Sequence, residues 1–416
     1  MLQQCVRLDP EHALGWNDLG SVCLMLGDLK AAVDALRHAT HLQPGLQIAH
    51  ANLGLALYHL GSLEEAQAAC GRALEIDPAN DATRWTLSMC HLALGKMHSG
   101  WQLYQSRWSL SHTANFRPRD FFDKPCWLGE GDPAGQAILV HAEQGFGDTL
   151  QFCRYVLLLQ QRGARVLLEV QPAMLGLLSR AFAPAVSVLG RGQPLPKFDM
   201  HCPLMSLPLA FRTDLDNIPA ASPYLWPNVD SVSHWRKKLG GSALPRIALA
   251  WSGGRLHPRD GARSMPLREL LALDRFAANY FAAQTELRES DSAALKQFSR
   301  LAWYGPELRE FDDTASLLAL CDLVITVDTS VAHLAGALGR RTWLLLPFAA
   351  DWRWLLRRQD SPWYPTMRLF RQNRMGDWSG VVAEVANALA QEFGPPAATP
   401  FAVQSSGSGV RHETTL

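Results

Sequence analysis

The chain has no apolar run of 18 residues or more, so no segment is long enough to cross a bilayer as a helix. Neither sign of charge is in excess: 39 Lys and Arg balance 39 Asp and Glu over 416 residues. A basic surplus would mark a nucleic-acid partner, and none is expected. The eight cysteines, at 5, 23, 70, 90, 126, 153, 202 and 321, form no C-x-x-C pair. That spacing argues against a zinc site and for reduced thiols. The first residues show no basic stretch leading into an apolar one, so a secretory signal is not expected and a cytoplasmic location is.

What is present begins with a repeat. Gly27, Gly61 and Gly95 lie 34 residues apart, as do Leu19, Leu53 and Leu87, and Pro10, Pro44 and Pro78. Glycine ends one helix in a left-handed conformation, and proline stops the next. The spacing predicts helical hairpins up to about Trp108, with residues 1–10 closing an earlier unit. Asn17-Asp18-Leu19-Gly20 and Ala73 to Pro78 resemble the tetratricopeptide repeat. Such units bury their faces by stacking, so the array is expected to lean on the next domain or to offer a groove to a partner. Residues 111–135, rich in proline and glycine, read as a connector.

From Gln136 strand-like and helix-like runs alternate, which predicts an α/β fold of two doubly wound halves, 136–232 and 233–394. The predicted strands of the first half are 137–140, 165–170 and 186–189. Those of the second are 246–251, 280–284, 323–327 and 342–346. A last helix from Trp378 to Phe393 is expected to cross back onto the first half. Residues 395–416 are expected to form a disordered tail.

Two strand-to-helix corners stand out. Glu143-Gln144-Gly145-Phe146-Gly147-Asp148 follows the first strand and leads into a predicted helix from Thr149 to Gln161. Asp328-Thr329-Ser330-Val331-Ala332-His333 follows the strand ending at Val327. Free backbone N–H groups and the helix dipole favour anions at such corners. The N–H groups of Ser330, Val331 and Ala332 and the hydroxyls of Thr329 and Ser330 are candidate phosphate ligands. Asp328 is read as orienting the loop or meeting a sugar hydroxyl, and His333 as a hydrogen-bond donor or as a histidine satisfied within its helix. Arg255, Arg259 and Arg263 lie in the loop after strand 246–251, and arginine binds phosphate bidentately. Arg255 and Arg263 are the preferred pair, with Ser252 and Gly253 approaching through their backbone. Leu150 stands where a third glycine of a dinucleotide-binding loop belongs, so that reading loses support. No D-x-D pair follows a suitable strand, so no metal and no cofactor are expected.

Residues 141–152 resemble the first loop of heptosyltransferase-like glycosyltransferases fused to tetratricopeptide repeats, and residues 328–339 resemble their nucleotide-sugar loop. Asp351-Trp352-Arg353-Trp354 and Ser361 to Pro365 are similar to further signatures of that group. The resemblance implies a GT-B fold, with acceptor on the first half and nucleotide-sugar donor on the second. It implies inverting transfer of a sugar to an acceptor hydroxyl, with Asp148 as general base; the missing D-x-D pair makes that transfer metal-independent, and the repeat array favours a protein acceptor, a surface glycan being the other. Glu143 is the fallback base, and Gln144, Gly145 and Gly147 shape the acceptor loop. Read without the resemblance, Asp148 is a helix cap and Glu143 a solvated charge. Thr285 stands where related sequences often carry a lysine. The alternative is a non-catalytic interaction protein whose α/β part has degenerated. The aromatic residues of 351–354 are read as packing for Trp354 and left open for Trp352, with Arg353 a possible phosphate ligand.

Overall fold

A computed structural model describes residues 1–110, 123–257 and 259–396. Most of the expected connector's first half and nearly all of the expected tail lie outside these residues. The helical region holds a short helix, Leu2–Leu8, and then three hairpins. These pair Ala13–Met25 with Leu29–Leu42, Gln47–Leu60 with Leu63–Ile76, and Asp81–Ala93 with Met97–Tyr104. Gly27, Gly61 and Gly95 have φ of 81°, 84° and 76°, the left-handed turn that the spacing required. Small residues let the hairpins close tightly: a methyl on Gly54 would lie 2.4 Å from Cys70 Sγ.

The α/β region contains two parallel sheets. The first comprises β1 (Ala137–His141), β2 (Arg165–Val170), β3 (Ser187–Gly190) and β4 (Met200–Pro203), in the order β3-β2-β1-β4. The second comprises β5 (Arg246–Ala250), β6 (Asn279–Ala282), β7 (Leu301–Trp303), β8 (Leu323–Val327), β9 (Thr342–Leu346) and β10 (Met367–Arg371). Their order is β10-β9-β8-β5-β6-β7. The central strands are buried on both faces, which is why they read as continuous apolar runs. Side chains alternate between two cores: Ile247, Leu249, Ile325 and Trp343 join the outer one, while Ala248, Val324 and Leu344 join the inner one. The inner core continues through the first sheet and into the helical hairpins, so the repeats and both halves share apolar packing.

The structure departs from expectation in several places. β4, β7 and β10 were not anticipated. The helix after β1 starts at Phe146 rather than Thr149 and breaks after Phe152, resuming over Tyr155–Gln161. Buried Arg154 sits in this break, donating to the carbonyls of Gln151 and Trp363 at 2.8 Å each. A division at residues 232 and 233 would cut the helix Val229–Leu239, which Asn228 caps. The helix Trp378–Phe393 does not return to the first half. Val381, Val385 and Leu389 pack into the outer core of the second sheet.

Candidate active site

Sheet order decides where a ligand fits. In the first sheet the winding reverses between β1 and β4, and in the second between β5 and β8. Loops at such reversals splay apart and leave a crevice beyond the strands' carboxyl ends. The loop after β1 carries Glu143 to Asp148. Those after β5 and β8 carry Ser252 to Ser264 and Asp328 to Ser330. Both halves contribute to one cavity of about 860 Å³, lined by Gly145, Gly147, Asp148, Ser252, Gly253, Arg255, Arg263, Asp328, Thr329, Ser330 and His333. Its size falls in the range of small-molecule sites.

Asp148 occupies the third position of its helix and is partly exposed to the cavity. One carboxylate oxygen accepts from the N–H of Gly145 at 2.9 Å, so the capping role read from sequence is present. The other accepts from Arg353 of the opposite half. Burial pushes the Asp148 carboxyl above its usual range, against the pull of the Arg353 guanidinium.

The helix Ser330–Ala337 supplies the facing wall. Thr329 caps it, its hydroxyl accepting from the N–H of Val331 at 3.3 Å. The N–H of Ala332 donates to the Thr329 carbonyl at 3.0 Å, and Ala332 is fully buried outside the cavity lining. The expected role of Ala332 as a donor ligand is therefore corrected: its amide is already spent on the cap. Ser330 is left as the helix-terminal residue whose N–H makes no hydrogen bond among the described residues.

His333 is buried, with Nδ1 2.9 Å from the Tyr364 hydroxyl and Nε2 4.0 Å from Asp328. Its ring stacks on Trp354 at 5.5 Å between centroids. Burial and the nearby Arg353 push its pKa down to about 3, so the imidazole is neutral. Asp328 is shifted the other way, upward, by burial and by Asp351.

Arg263 reaches the cavity through a gap that only glycine leaves: a methyl on Gly253 would lie 2.5 Å from Arg263 Nη2. Arg263 Nη1 donates to the Asp328 carbonyl at 3.0 Å, while its buried Nε has no partner among the described residues. Arg255 makes only a long contact, 3.5 Å, to the Leu287 carbonyl. Arg259 is occupied elsewhere, bound to the Ala349 carbonyl and lying over the Tyr58 ring of the second hairpin. Ser252 exchanges two backbone hydrogen bonds with the Gln284 amide, which fixes the start of this loop.

Glu143 fails as a fallback base. Its side chain is 1% exposed and is held by Arg107, Nε to Oε2 at 2.7 Å and Nη2 to Oε1 at 2.9 Å. The N–H of Met205 binds the same carboxylate at 3.0 Å. This pair ties the end of the helical region to the first sheet, and Glu143 lies outside the cavity lining. Gln144 is likewise turned away, donating to the Tyr104 hydroxyl at 3.1 Å. Trp352 and Trp354 are both fully buried. Trp352 packs edge-on to Trp101 of the third hairpin at 5.2 Å. Arg353, a possible phosphate ligand by sequence, is taken up by Asp148, by Asp351 at 2.8 Å and by Gln151 at 2.7 Å. Sequence reasoning missed Gln151, Tyr364 and Arg154, whose roles arise from contacts between halves far apart in the chain.

Two family models match the chain. Residues 48–80 match the tetratricopeptide repeat, and residues 306–345 match glycosyltransferase family 9 (heptosyltransferase). The chain joins tetratricopeptide repeats to a glycosyltransferase family 9 segment. That segment includes β8, β9 and the Asp328–His333 corner, whereas the Asp148 loop lies outside it. Protein FlbA of Caulobacter vibrioides is 26% identical over 94% of this chain and 69% of its own length. Among solved structures, the E. coli ADP-heptose lps heptosyltransferase II is similar at 18% identity. The match covers 62% of this chain and 99% of that one, with a TM-score of 0.42. MamA is similar to the repeats at 25% identity, over 25% of this chain and 61% of that one, with a TM-score of 0.24. No helix among the described residues is long and apolar enough to cross a membrane.

Proposed function

We propose that this protein is a glycosyltransferase that moves a sugar from a nucleotide-sugar donor to an acceptor hydroxyl, with Asp148 as general base. One observation carries the reading. A carboxylate from the first half and, from the second, a helix N-terminus with two arginines, Arg255 and Arg263, line the same cavity. In the reaction, the acceptor oxygen attacks the anomeric carbon from the face opposite the leaving group. The bond from that carbon to the diphosphate oxygen breaks with its electron pair, and the acceptor proton passes to Asp148. The departing diphosphate gains charge, which Arg263, Arg255 and the N–H of Ser330 are placed to neutralise. These groups do the work a divalent cation does elsewhere, so transfer is proposed to be metal-independent and inverting. Neutral His333 suits hydrogen bonding to a sugar or phosphate oxygen better than charge pairing. The acceptor is proposed to be a protein or a surface glycan, with the repeats offering a docking groove, and the protein to act in the cytoplasm.

The competing reading is a repeat scaffold with an inactive α/β part. It draws on one fact: Asp148 is already engaged by Gly145 and Arg353. Thermal shift with a panel of nucleoside diphosphates and nucleotide sugars separates the two. The transferase reading expects one base to stabilise the protein selectively, and Asp148→Ala to abolish transfer while that stabilisation persists. No response to any member of the panel, or full turnover by Asp148→Ala, would overturn it.

A further inference from the structure

Asp148 and Arg353 are 205 residues apart in the chain and belong to opposite halves, yet the guanidinium Nη2 donates to the Asp148 carboxylate. Arg353 is itself held in place. Asp351 caps the short turn Trp352–Trp354 by accepting from the Arg353 N–H at 3.1 Å, and the same oxygen accepts from Arg353 Nη1 at 2.8 Å. Arg353 Nε donates to Gln151, one turn beyond Asp148 on the same helix, at 2.7 Å. The planar head thus spends each of its three nitrogens on a different partner, two of them across the cleft. Its flat face lies over the Trp352 ring at 4.3 Å, which fixes the remaining freedom.

We propose that Arg353 is the positioning residue for Asp148: from the donor half it holds this carboxylate ionised and aimed into the cavity. The inference rests on the reading of Asp148 as general base. A carboxyl buried in the cleft resists ionisation, and a base must be ionised to accept a proton. The charged or titratable groups around it are Asp351, Asp328, Glu143, His333 and Tyr104, besides Arg353. Glu143 is matched by Arg107, and His333 and Tyr104 are neutral. Asp351 opposes a charge on Asp148, so Arg353 is the cation that offsets it. Because it comes from the other half, this support exists only while the halves are apposed. Gln151 locks the guanidinium to the helix rather than to the carboxylate alone, so Asp148 keeps one direction.

The test reads the proton on Asp148 directly. Protein labelled with carboxyl-13C aspartate is titrated by NMR, and the Asp148 signal is assigned by its loss in Asp148→Asn. In Arg353→Met the titration midpoint is expected to rise by about one pH unit or more. Arg353→Lys, which keeps a charge but not the three-way fork, should restore part of that shift. An Asp148 midpoint that stays at the native value in Arg353→Met overturns the proposal. Should that variant not fold, an unchanged midpoint in Arg353→Lys overturns it. Full transfer activity in Asp148→Asn would instead sink the base assignment while leaving these titrations interpretable, so the two readings fail separately.

Discussion

Gly147 and His333 meet across the cleft with no room for a side chain between them: a methyl on Gly147 would lie 2.7 Å from the His333 ring carbon Cδ2. Gly147 belongs to the helix that presents Asp148, and His333 to the helix that faces it. The His333 ring cannot yield easily, because Tyr364 and Trp354 hold its other edge and face. Gly147→Ala is therefore expected to separate the two helices and to destabilise the fold by about 1–3 kcal/mol, as overpacking does. Urea unfolding at neutral pH measures this. Calorimetry with the preferred nucleoside diphosphate should show weaker binding as well. A variant as stable as the native chain, with undiminished affinity, would mean that the two helices adjust freely.

Arg263 lines the cavity beside the Asp328–Ser330 corner, and its hydrogen bond among the described residues is from Nη1 to the Asp328 carbonyl. Loss of one charge-assisted hydrogen bond corresponds to about a ten- to hundredfold change in affinity. Arg263→Ala should weaken nucleoside diphosphate binding by that amount. Arg259→Ala, whose side chain is committed to Ala349 and Tyr58, should affect it less. Equal losses in both variants would place the diphosphate elsewhere in the loop.

How far the residues themselves announced this arrangement differs from element to element. A 34-residue period is a repeated local instruction, so the hairpins were legible from glycine and leucine spacing alone. Both strand-to-helix corners were legible too, because a buried parallel strand followed by a polar turn leaves a plain trace. β4 left little trace: Met200-His201-Cys202-Pro203 is four residues long and ends in proline. In β10 the exposed Arg368 and the half-buried Arg371 interrupt Met367, Leu369 and Phe370, so it lacks the continuous apolar run of its neighbours. The misjudged site residues share one cause. Whether Glu143 faces a cleft or a buried arginine depends on Arg107, 36 residues earlier in another domain. Whether the amide of Ala332 is free depends on how Thr329 caps its helix. Local sequence states what a side chain can do, and packing decides what remains for it to bind.

Glu143 and Arg107 supply a prediction about stability rather than catalysis. Both side chains are almost wholly buried, and the carboxylate is bound by two guanidinium nitrogens and one backbone N–H. Removing the carboxylate breaks this buried pair, a cost of about 3–5 kcal/mol. Glu143→Ala should lower the unfolding free energy by that order, and Glu143→Ala with Arg107→Met should recover part of it. If Glu143 were the base instead, the single variant would fold normally and fail only in transfer. Chemical denaturation of the single and double variants separates these outcomes.

The last prediction concerns pH. His333 is held near a pKa of about 3, and His59 near about 4, each mainly by burial. The unfolded chain takes up a proton on each of these near pH 6.5, while the folded chain keeps them neutral. Between about pH 4 and 6.5 the unfolded state thus binds more protons, and stability falls as the pH is lowered through that window. Asp148 and Asp328 work against this trend, since burial raises both and the folded state protonates them first. Burial lowers His91 and His201 as well, so the histidines outweigh the two carboxyls and the net slope should remain positive with rising pH. His333→Gln removes one of these contributions and should flatten the slope by up to about 1.4 kcal/mol per pH unit, the value for one proton. Urea unfolding of the native chain and His333→Gln at a series of pH values from 4 to 7 checks this. Parallel curves for the two proteins would show that His333 takes up its proton at an ordinary pH in the folded state, and its neutral role in the cleft would have to be abandoned.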